Sequence, residues 1–346
     1  MKNYNNYTIQ KEASLLDALK KLDQEKSNQT LFVLDEQNRL LGTVTDGDIR
    51  RGIIKGLNLE SPIEKFCFPN FSFVNSKIDV LTIHRLKREG IKVLPKLNSI
   101  GQIERVFDLT KLNSILPLHA VIMAGGKGER LRPLTEKTPK PMLMLGEKPI
   151  IEHNIDRLIS FGIDTITISV HYLSEQIINY FGDGSSKGIT IRYIEEDEPL
   201  GTIGCVSQIE NISHEAILVL NSDVFTNINF EDFYLNFKKE NADMAVASIP
   251  YSVDIPYAIM ELDDNKITSF KEKPKNTYYA NAGIYLIKKE NLNFVPKHSF
   301  FNATDLMDAI IHNNGKLINS PITGYWIDIG KHDDYNKAKE IIRHLN

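Results

Sequence analysis

"AGGKGERLRPLTEKTPKPM", Ala124 to Met142, carries three glycines within four positions and five basic side chains. It follows a short apolar run, "HAVIMA", which reads as a strand. A glycine-rich turn straight after a strand lets backbone N–H groups close around an anion. Gly125, Gly126 and Gly128 supply the bare backbone, while Arg130 and Lys140 supply charge. Pro133, Pro139 and Pro141 restrict the loop to extended shapes. Leu131 stands where G-x-G-x-x-G needs its last glycine, and the G-x-x-x-x-G-K-[ST] spacing is absent, so neither common phosphate motif applies. A solvated polar loop explains the composition less well than an anion site does.

Around this stretch the chain reads as an ordinary globular protein. It has 346 residues, 42% hydrophobic and 25% charged, with a formal net charge of −4. That length accommodates two or three domains. The charge offers no field for nucleic acid or an anionic membrane. Cys67 and Cys205 are the two cysteines, which form neither a disulfide framework nor a zinc pattern. No apolar leader or spanning run is present, so a cytoplasmic setting is expected.

Residues 117–346 alternate strand and helix patterns: "DTITISV", "SEQIINYFG", "ITIRYIE", "AILVLNSD", "FEDFYLNFKKEN" and "ADMAVASIP". This predicts an α/β layer, a mixed sheet with helices on both faces. "YAIMELDDNKITSFKEKP" reads as a hairpin, and "KAKEIIRHLN" as a closing helix. Residues 1–116 differ. "TLFVLDEQNRLLGTVTDGDIRRGI" and "IKVLPKLNSIGQIERVFDLTKL" both read as strand, turn, strand, helix opener. Helical stretches precede them at Leu15–Leu22 and Asp79–Glu89. Pairing Leu41 with Ile103, Val44 with Val106 and Asp46 with Asp108 gives two modules, about 1–60 and 61–116, expected to pack face to face.

Asp223 and Asp328 each end an apolar strand. Carboxylates there serve packing poorly but can hold Mg²⁺ through oxygen. A lone strand-end aspartate is ordinarily a turn residue; here two occur, and the blocks they lie in decide between the readings.

The second half closely resembles the sugar-1-phosphate nucleotidyltransferases, whose signature is strand, A-G-G-x-G-T-R-L, x-P-L-T and P-K-P. Glu129 occupies the usual threonine position. The resemblance continues through "EPLGT" (Glu198–Thr202), "LNSDVF", "FKEKP", "NAGIY" and "YWIDIGKHDDY". It implies a Rossmann-like, GT-A-like fold and Mg²⁺ on Asp223 and Asp328. It further implies a nucleoside triphosphate cradled by Ala124, Gly125, Gly126, Gly128, Arg130 and Gly201, with Lys140 at the reacting phosphates. Gly201, Glu272, Lys273 and Asn281 would then hold the sugar, and Lys273 its phosphate. "TPKPM" and "LNSDVF" look like the guanylyltransferase branch, which favours GTP.

The first half resembles a CBS-domain pair, chiefly through "LLGTVTDGDIRRG". That likeness places Thr45 and Asp48 where the family holds an adenine nucleotide, and implies a homo-oligomer. Capping of the next helix by Asp46 or Asp48 is set ahead of nucleotide binding. The combined architecture resembles bacterial enzymes that make GDP-amino sugars for legionaminic-type surface glycans. Glucosamine-1-phosphate and mannose-1-phosphate are therefore candidate acceptors. A uridylyl- or thymidylyltransferase, and a non-catalytic nucleotide-sugar sensor, remain the alternatives.

Overall fold

The computed structural model describes residues 4–24, 30–74 and 80–345. Asp79, the expected first residue of one helix, and Asn346, the expected last residue of another, lie outside them. The chain divides into two compact units. One comprises Met1–Pro117, Ile159–Asp164 and Gly184–Ile189; the other comprises Leu118–Leu158, Thr165–Asp183 and Thr190–Asn346.

In the first unit β1 (Thr8–Gln10), α1 (Leu15–Gln24), β2 (Thr30–Leu34), β3 (Leu40–Thr45) and α2 (Asp46–Ile54) form one module. α3 (Val80–Arg88), β4 (Val93–Leu97) and β5 (Ile103–Asp108) form the second. β1 lies parallel to β2, and each module has an antiparallel hairpin, β2 with β3 and β4 with β5. Leu15, Ala18 and Leu22 bury one stripe of α1 against Leu31, Val33 and Val44. Ile83 and Leu86 of α3 do the same against Leu94 and Phe107. Phe32, Leu34, Val93 and Ile103 form a shared cluster where the modules meet.

The hairpins correct the expected alignment of the repeat. Both shift register late in their first strand, so Leu34 pairs Leu40 and Leu97 pairs Ile103. Leu40, not Leu41, therefore answers to Ile103, and Val44 answers to Phe107. A one-residue slip exchanges the faces of a strand, and burial agrees: Val44 and Phe107 are both buried while Leu41 is exposed. Thr45 then corresponds to Asp108, and Asp48 to Lys111.

Helix capping is also redistributed. Thr45 is the N-cap of α2, and Asp48 at the third helical position completes a capping box. The Thr45 backbone N–H and hydroxyl both donate to Asp48 Oδ2, at 2.9 and 2.6 Å, and Arg51 donates to Oδ1 at 2.6 Å. A cleft of about 440 Å³ lined by Thr43, Thr45, Asp48, Arg51, Phe68 and Lys92 opens beside this helix start. Because Asp48 holds the helix end, Asp48→Ala is expected to cost about 1 kcal/mol, measurable by denaturant unfolding.

The second unit begins with β6 (His119–Met123), followed by a short hairpin of β7 (Met144–Leu145) and β8 (Lys148–Pro149). Next come α4 (Ile150–Ser160), β9 (Thr165–Val170), α5 (Ser174–Phe181), β10 (Thr190–Glu195) and β11 (Ala216–Asn221). β12 (Val224–Thr226), α6 (Phe230–Lys239), β13 (Met244–Asp254), β14 (Ile259–Asp263), β15 (Lys266–Lys271) and β16 (Lys275–Lys288) continue the chain. α7 (Ala303–His312), β17 (Leu317–Pro321), β18 (Trp326–Asp328) and α8 (His332–Leu345) complete it.

Seven strands form one sheet in the order β10-β9-β6-β11-β16-β13-β17. β10, β9, β6 and β11 are parallel; β16 runs antiparallel to both β11 and β13, and β17 is parallel to β13. The expected mixed α/β sheet is thus present. Its central strands are near-continuous apolar runs because both faces are covered. α7 packs Ala303, Leu306 and Ile310 against Ile217, Val219 and Ile287. Each such Leu, Ile or Val side chain contributes about 1.5–3 kcal/mol on burial. Among the described residues, no helix is long and apolar enough to cross a membrane.

Candidate active site

The glycine stretch leaves the end of β6, where the parallel half of the sheet presents its carboxyl ends, the usual ligand-binding edge of such sheets. Gly125 and Gly128 have steric reasons, whereas a Cβ on Gly126 would meet nothing within 4 Å. Gly128 takes φ +64°, and a Cβ there would approach Lys140 Cβ at 2.9 Å and Thr135 Cγ2 at 3.0 Å. A Cβ on Gly125 would sit 3.4 Å from His171 Cβ and 3.6 Å from Glu196 Oε2. Thr135 donates its hydroxyl to the Gly128 carbonyl at 2.8 Å, which ties the loop to itself.

A cleft of about 640 Å³ opens over this loop. Of the residues expected to bind nucleotide or phosphate, Gly125, Gly126, Gly128, Arg130, Lys140, Gly201 and Asp223 line it. Ala124 does not; it is buried, and its N–H donates to the Ser169 carbonyl at 2.8 Å. Gly201, at φ +80°, crosses so close to the chain that a Cβ would lie 2.6 Å from the Phe301 carbonyl oxygen.

Asp223 follows β11, and Asp328 ends β18. Val224 pairs with Asp328 in a two-stranded ladder, and the Ile329 N–H donates to the Asp223 carbonyl at 3.1 Å, so the backbone sets the carboxylates side by side. Lys140, buried to 9% exposure, donates to Asp223 Oδ2 and lies 3.9 Å from Asp328 Oδ1. Asp223 Oδ1 is buried without a hydrogen-bond partner among the described residues. Gly330 keeps room for a guanidinium: a Cβ there would meet Arg130 Nη2 at 3.3 Å and Asp328 Oδ2 at 3.4 Å. Burial, then the neighbouring Asp223 charge, push the Asp328 carboxyl above its ordinary range against the pull of Lys140 and Arg130.

Those two carboxylates suit Mg²⁺ only as a shared ligand set. Among the described residues no cluster of three or more His, Cys, Asp or Glu side chains forms a metal cage. Mg²⁺ is commonly held by one or two carboxylates with substrate phosphates and water completing the octahedron. An unpartnered carboxylate oxygen beside two cations that can take phosphate matches that donor set.

The sugar residues are placed differently. Glu272 and Lys273 follow β15 and are exposed, with Lys273 at φ +41°, and neither lines the cleft. Asn281, on β16, accepts from the Gly283 N–H at 2.9 Å and donates to the Tyr285 hydroxyl at 3.0 Å. It braces the irregularity within β16 at Gly283 (φ +70°), where the pairing with β13 shifts register and a Cβ would come 2.6 Å from Nδ2 of Asn221, a cleft residue. Thr45 and Asp48 belong to the other unit and hold the α2 cap described above.

Glu196 is the residue that the motifs did not single out. In the sequence it opens the stretch Glu196–Gly201, near which the base is expected to be read together with the Ala124–Gly125 backbone, without any one side chain assigned to it. In the structure it is 7% exposed and lines the cleft. Ser169 donates to Oε1, and the Leu200 N–H donates to Oε2 at 2.9 Å. The Glu196 carbonyl meets His171 Nδ1 at 2.7 Å. Each carboxylate oxygen keeps an acceptor site beyond its recorded donor.

A family model described as nucleotidyl transferase matches residues 119–344, and one described as CBS domain matches residues 2–55. The chain is 34% identical over 229 residues to probable mannose-1-phosphate guanylyltransferase 1 of Oryza sativa subsp. japonica, covering 63% of this chain and 63% of that one. It is 32% identical over 231 residues to the bifunctional protein GlmU of Methanocaldococcus jannaschii, covering 65% of this chain and 54% of the relative. It therefore spans less than two thirds of the length of these relatives. A solved structure of a putative glucose-1-phosphate thymidylyltransferase from Bacillus anthracis in complex with a sucrose superposes with TM-score 0.53 at 25% identity, over 66% of this chain and 96% of that one. HddC from Yersinia pseudotuberculosis complexed with GMP-PN gives 0.50 at 26% identity, over 65% and 99%.

Proposed function

Because the chain belongs to the nucleotidyl transferase family and carries an N-terminal CBS domain, we propose that it transfers GMP from GTP to a hexose- or hexosamine-1-phosphate, releasing pyrophosphate. The observation that carries this reading is the gathering of Arg130, Lys140, Asp223 and Asp328 around the glycine loop. Mannose-1-phosphate is favoured by the activity for which the rice relative is named, and glucosamine-1-phosphate by the domain combination.

The reaction is a single displacement. An oxygen of the sugar phosphate attacks the α-phosphorus of GTP, the bond to the β-phosphate oxygen breaks, and pyrophosphate departs with that oxygen. The two esters repel one another, and the chain's cations offset that repulsion. Lys140 leaves Asp223 to meet the reacting phosphate, while Arg130 forks two oxygens of the leaving pyrophosphate. Backbone N–H groups of the glycine loop hold the remaining oxygens. Lys273 would take the sugar phosphate, and Glu272 a sugar hydroxyl or amine, on closure of their segment. Asp223 and Asp328 would hold Mg²⁺, which when bound neutralises and aligns the phosphates.

Guanine is favoured by Glu196. An ionised carboxylate only accepts, and guanine offers adjacent N1–H and N2–H donors. Uracil and thymine present one donor between two carbonyls. The experiment that tests the assignment is a matrix of four nucleoside triphosphates against a panel of sugar-1-phosphates, with pyrophosphate release as readout. GTP with mannose- or glucosamine-1-phosphate should give the highest rate. A maximum with UTP or dTTP would overturn the base, and no turnover with any pair would favour a nucleotide-sugar sensor.

Asp328 yields a pH prediction. Its folded pKa lies above the ordinary carboxylate value, so its favourable contribution is complete below about pH 4 and is lost as pH rises through the folded pKa. At neutral pH the ionised group therefore costs stability, modestly because its side chain is 47% exposed. Asp328→Asn is expected to melt higher than the parent at pH 7, with the difference vanishing in acid, while losing turnover. Thermal unfolding at both pH values checks it.

A further inference from the structure

β9 ends at Val170, and the next residue, His171, stands at the carboxyl edge of the parallel strands. The backbone around it is held from several sides. Val170 pairs with Glu195, and its carbonyl accepts the Glu196 N–H at 2.9 Å. The Ser169 carbonyl accepts the Ala124 N–H at 2.8 Å. Beyond His171, the Tyr172 hydroxyl donates to the Thr135 and Glu136 carbonyls at 3.2 and 3.0 Å, and Gln176 donates to the Lys137 carbonyl at 2.9 Å.

The ring is oriented as well. Nδ1 lies 2.7 Å from the Glu196 carbonyl oxygen. A carbonyl only accepts, so Nδ1 carries a proton and donates it. His171 is half-buried and lines the cleft, and Nε2 makes no hydrogen bond among the described residues. Propping Glu196 uses Nδ1 alone and leaves Nε2 without a task.

Order along the cleft says which part of a nucleotide would reach this atom. A Cβ on Gly125 would have His171 Cβ at 3.4 Å and Glu196 Oε2 at 3.6 Å. Gly125 thus neighbours both side chains and leads directly into Gly126 and Gly128 of the anion-binding turn. In a nucleotide the ribose joins base to phosphate; in the cleft Gly125 joins Glu196 to that turn.

We propose that His171 Nε2 binds a ribose hydroxyl of the nucleotide, which makes His171 a residue that selects ribonucleoside over deoxyribonucleoside triphosphates. A hydroxyl suits this atom better than an N–H of the base. It both donates and accepts, so it satisfies the ring in either charge state, whereas an amine serves only the unprotonated ring. The inference rests on the nucleotide reading given above, with the base at Glu196, and not on the choice of guanine.

The test compares kcat/KM for GTP with kcat/KM for its 2′-deoxy and 3′-deoxy forms, or the same set for whichever base the substrate matrix selects. The parent should prefer the ribonucleotide about tenfold over at least one deoxy form, the worth of one hydrogen bond. Two substitutions separate recognition from bracing. His171→Asn places an amide near Nδ1 and nothing at Nε2. It keeps a donor for the Glu196 carbonyl, and the ratio should fall to near unity. His171→Gln reaches the Nε2 position and gives up the bond to Glu196. It should retain most of the ratio while both rates fall. An unchanged ratio in His171→Asn would make the ring a brace alone and overturn the proposal. A parent that takes ribo and deoxy forms equally would overturn it too. So would a His171→Asn variant that changes the ratio of GTP to ITP in place of the ribose ratio, because ITP lacks the 2-amino group of guanine and keeps the ribose. If no sugar phosphate is turned over, the same ratios are read as dissociation constants by titration calorimetry. A chain that binds triphosphates without a ribose preference refutes this inference alone; a chain that binds none refutes the nucleotide reading with it. Circular dichroism controls for folding, and should His171→Asn not fold, the parent and His171→Gln ratios decide.

Discussion

Replacing Asp223 by asparagine is expected to lower pyrophosphate release about a thousandfold. Three consequences of one lost charge combine. Lys140, buried and paired with Asp223, loses the partner that holds its ammonium at the cleft floor. Oδ1, the buried carboxylate oxygen without a hydrogen bond, becomes a neutral amide atom that no longer serves a hard cation. Asp328 keeps its charge but loses the second half of the ligand pair. The side chain hardly changes in volume, so the fold should persist, and circular dichroism with thermal unfolding provides that control. Chelation should suppress the parent strongly and the variant little. Undiminished turnover of the variant in chelator would refute the assignment of both carboxylates.

The second large effect is expected at Glu196. Glu196→Gln keeps the shape and one acceptor, so the Leu200 N–H retains its bond. The other oxygen becomes an NH₂ donor facing a donor of guanine. Mismatched buried polar groups cost about 1–3 kcal/mol each, and sites built around a specific hydrogen bond discriminate strongly against analogues that cannot make it. The kcat/KM for GTP should fall about a hundredfold, and the preference for GTP over UTP should narrow by a similar factor. Both are read from initial rates with the two triphosphates. Equal losses for GTP and UTP would indicate that Glu196 only braces its loop through Ser169 and Leu200, and the choice of guanine would lose its support.

Much of the architecture was legible because its signals are local. The apolar runs of β6, β9 and β11 and the amphipathic stripes of α4 and α6 mark their elements by period alone. The glycine loop stood out because its residue types are poor at anything except close backbone approach. The repeat in the first unit was visible, but its alignment slipped by one residue. The register shifts after Val33 and Lys96 leave no mark that distinguishes Leu40 from Leu41. At Glu196 the sequence pointed to the neighbourhood of Glu196–Gly201 and not to the side chain: only the proximity of Gly125, Ser169 and Leu200 sets it apart from Glu195 and Glu198. The exposure of the β14–β15 hairpin escaped likewise, since its sequence patterns describe a good hairpin and say nothing about what lies against it.

Lys140 and Asp223 already satisfy one another in the cleft. On the proposed reading, nucleotide entry would resemble ion exchange: the ammonium would trade a carboxylate for a phosphate, and Asp223 would be released to hold a metal dication. The protein's own net charge at this spot is the same before and after. The salt sensitivity of GTP uptake should accordingly reflect Arg130 and the loop amides more than the full tally of cations in the loop, and the resting cleft avoids holding an uncompensated buried cation while it waits.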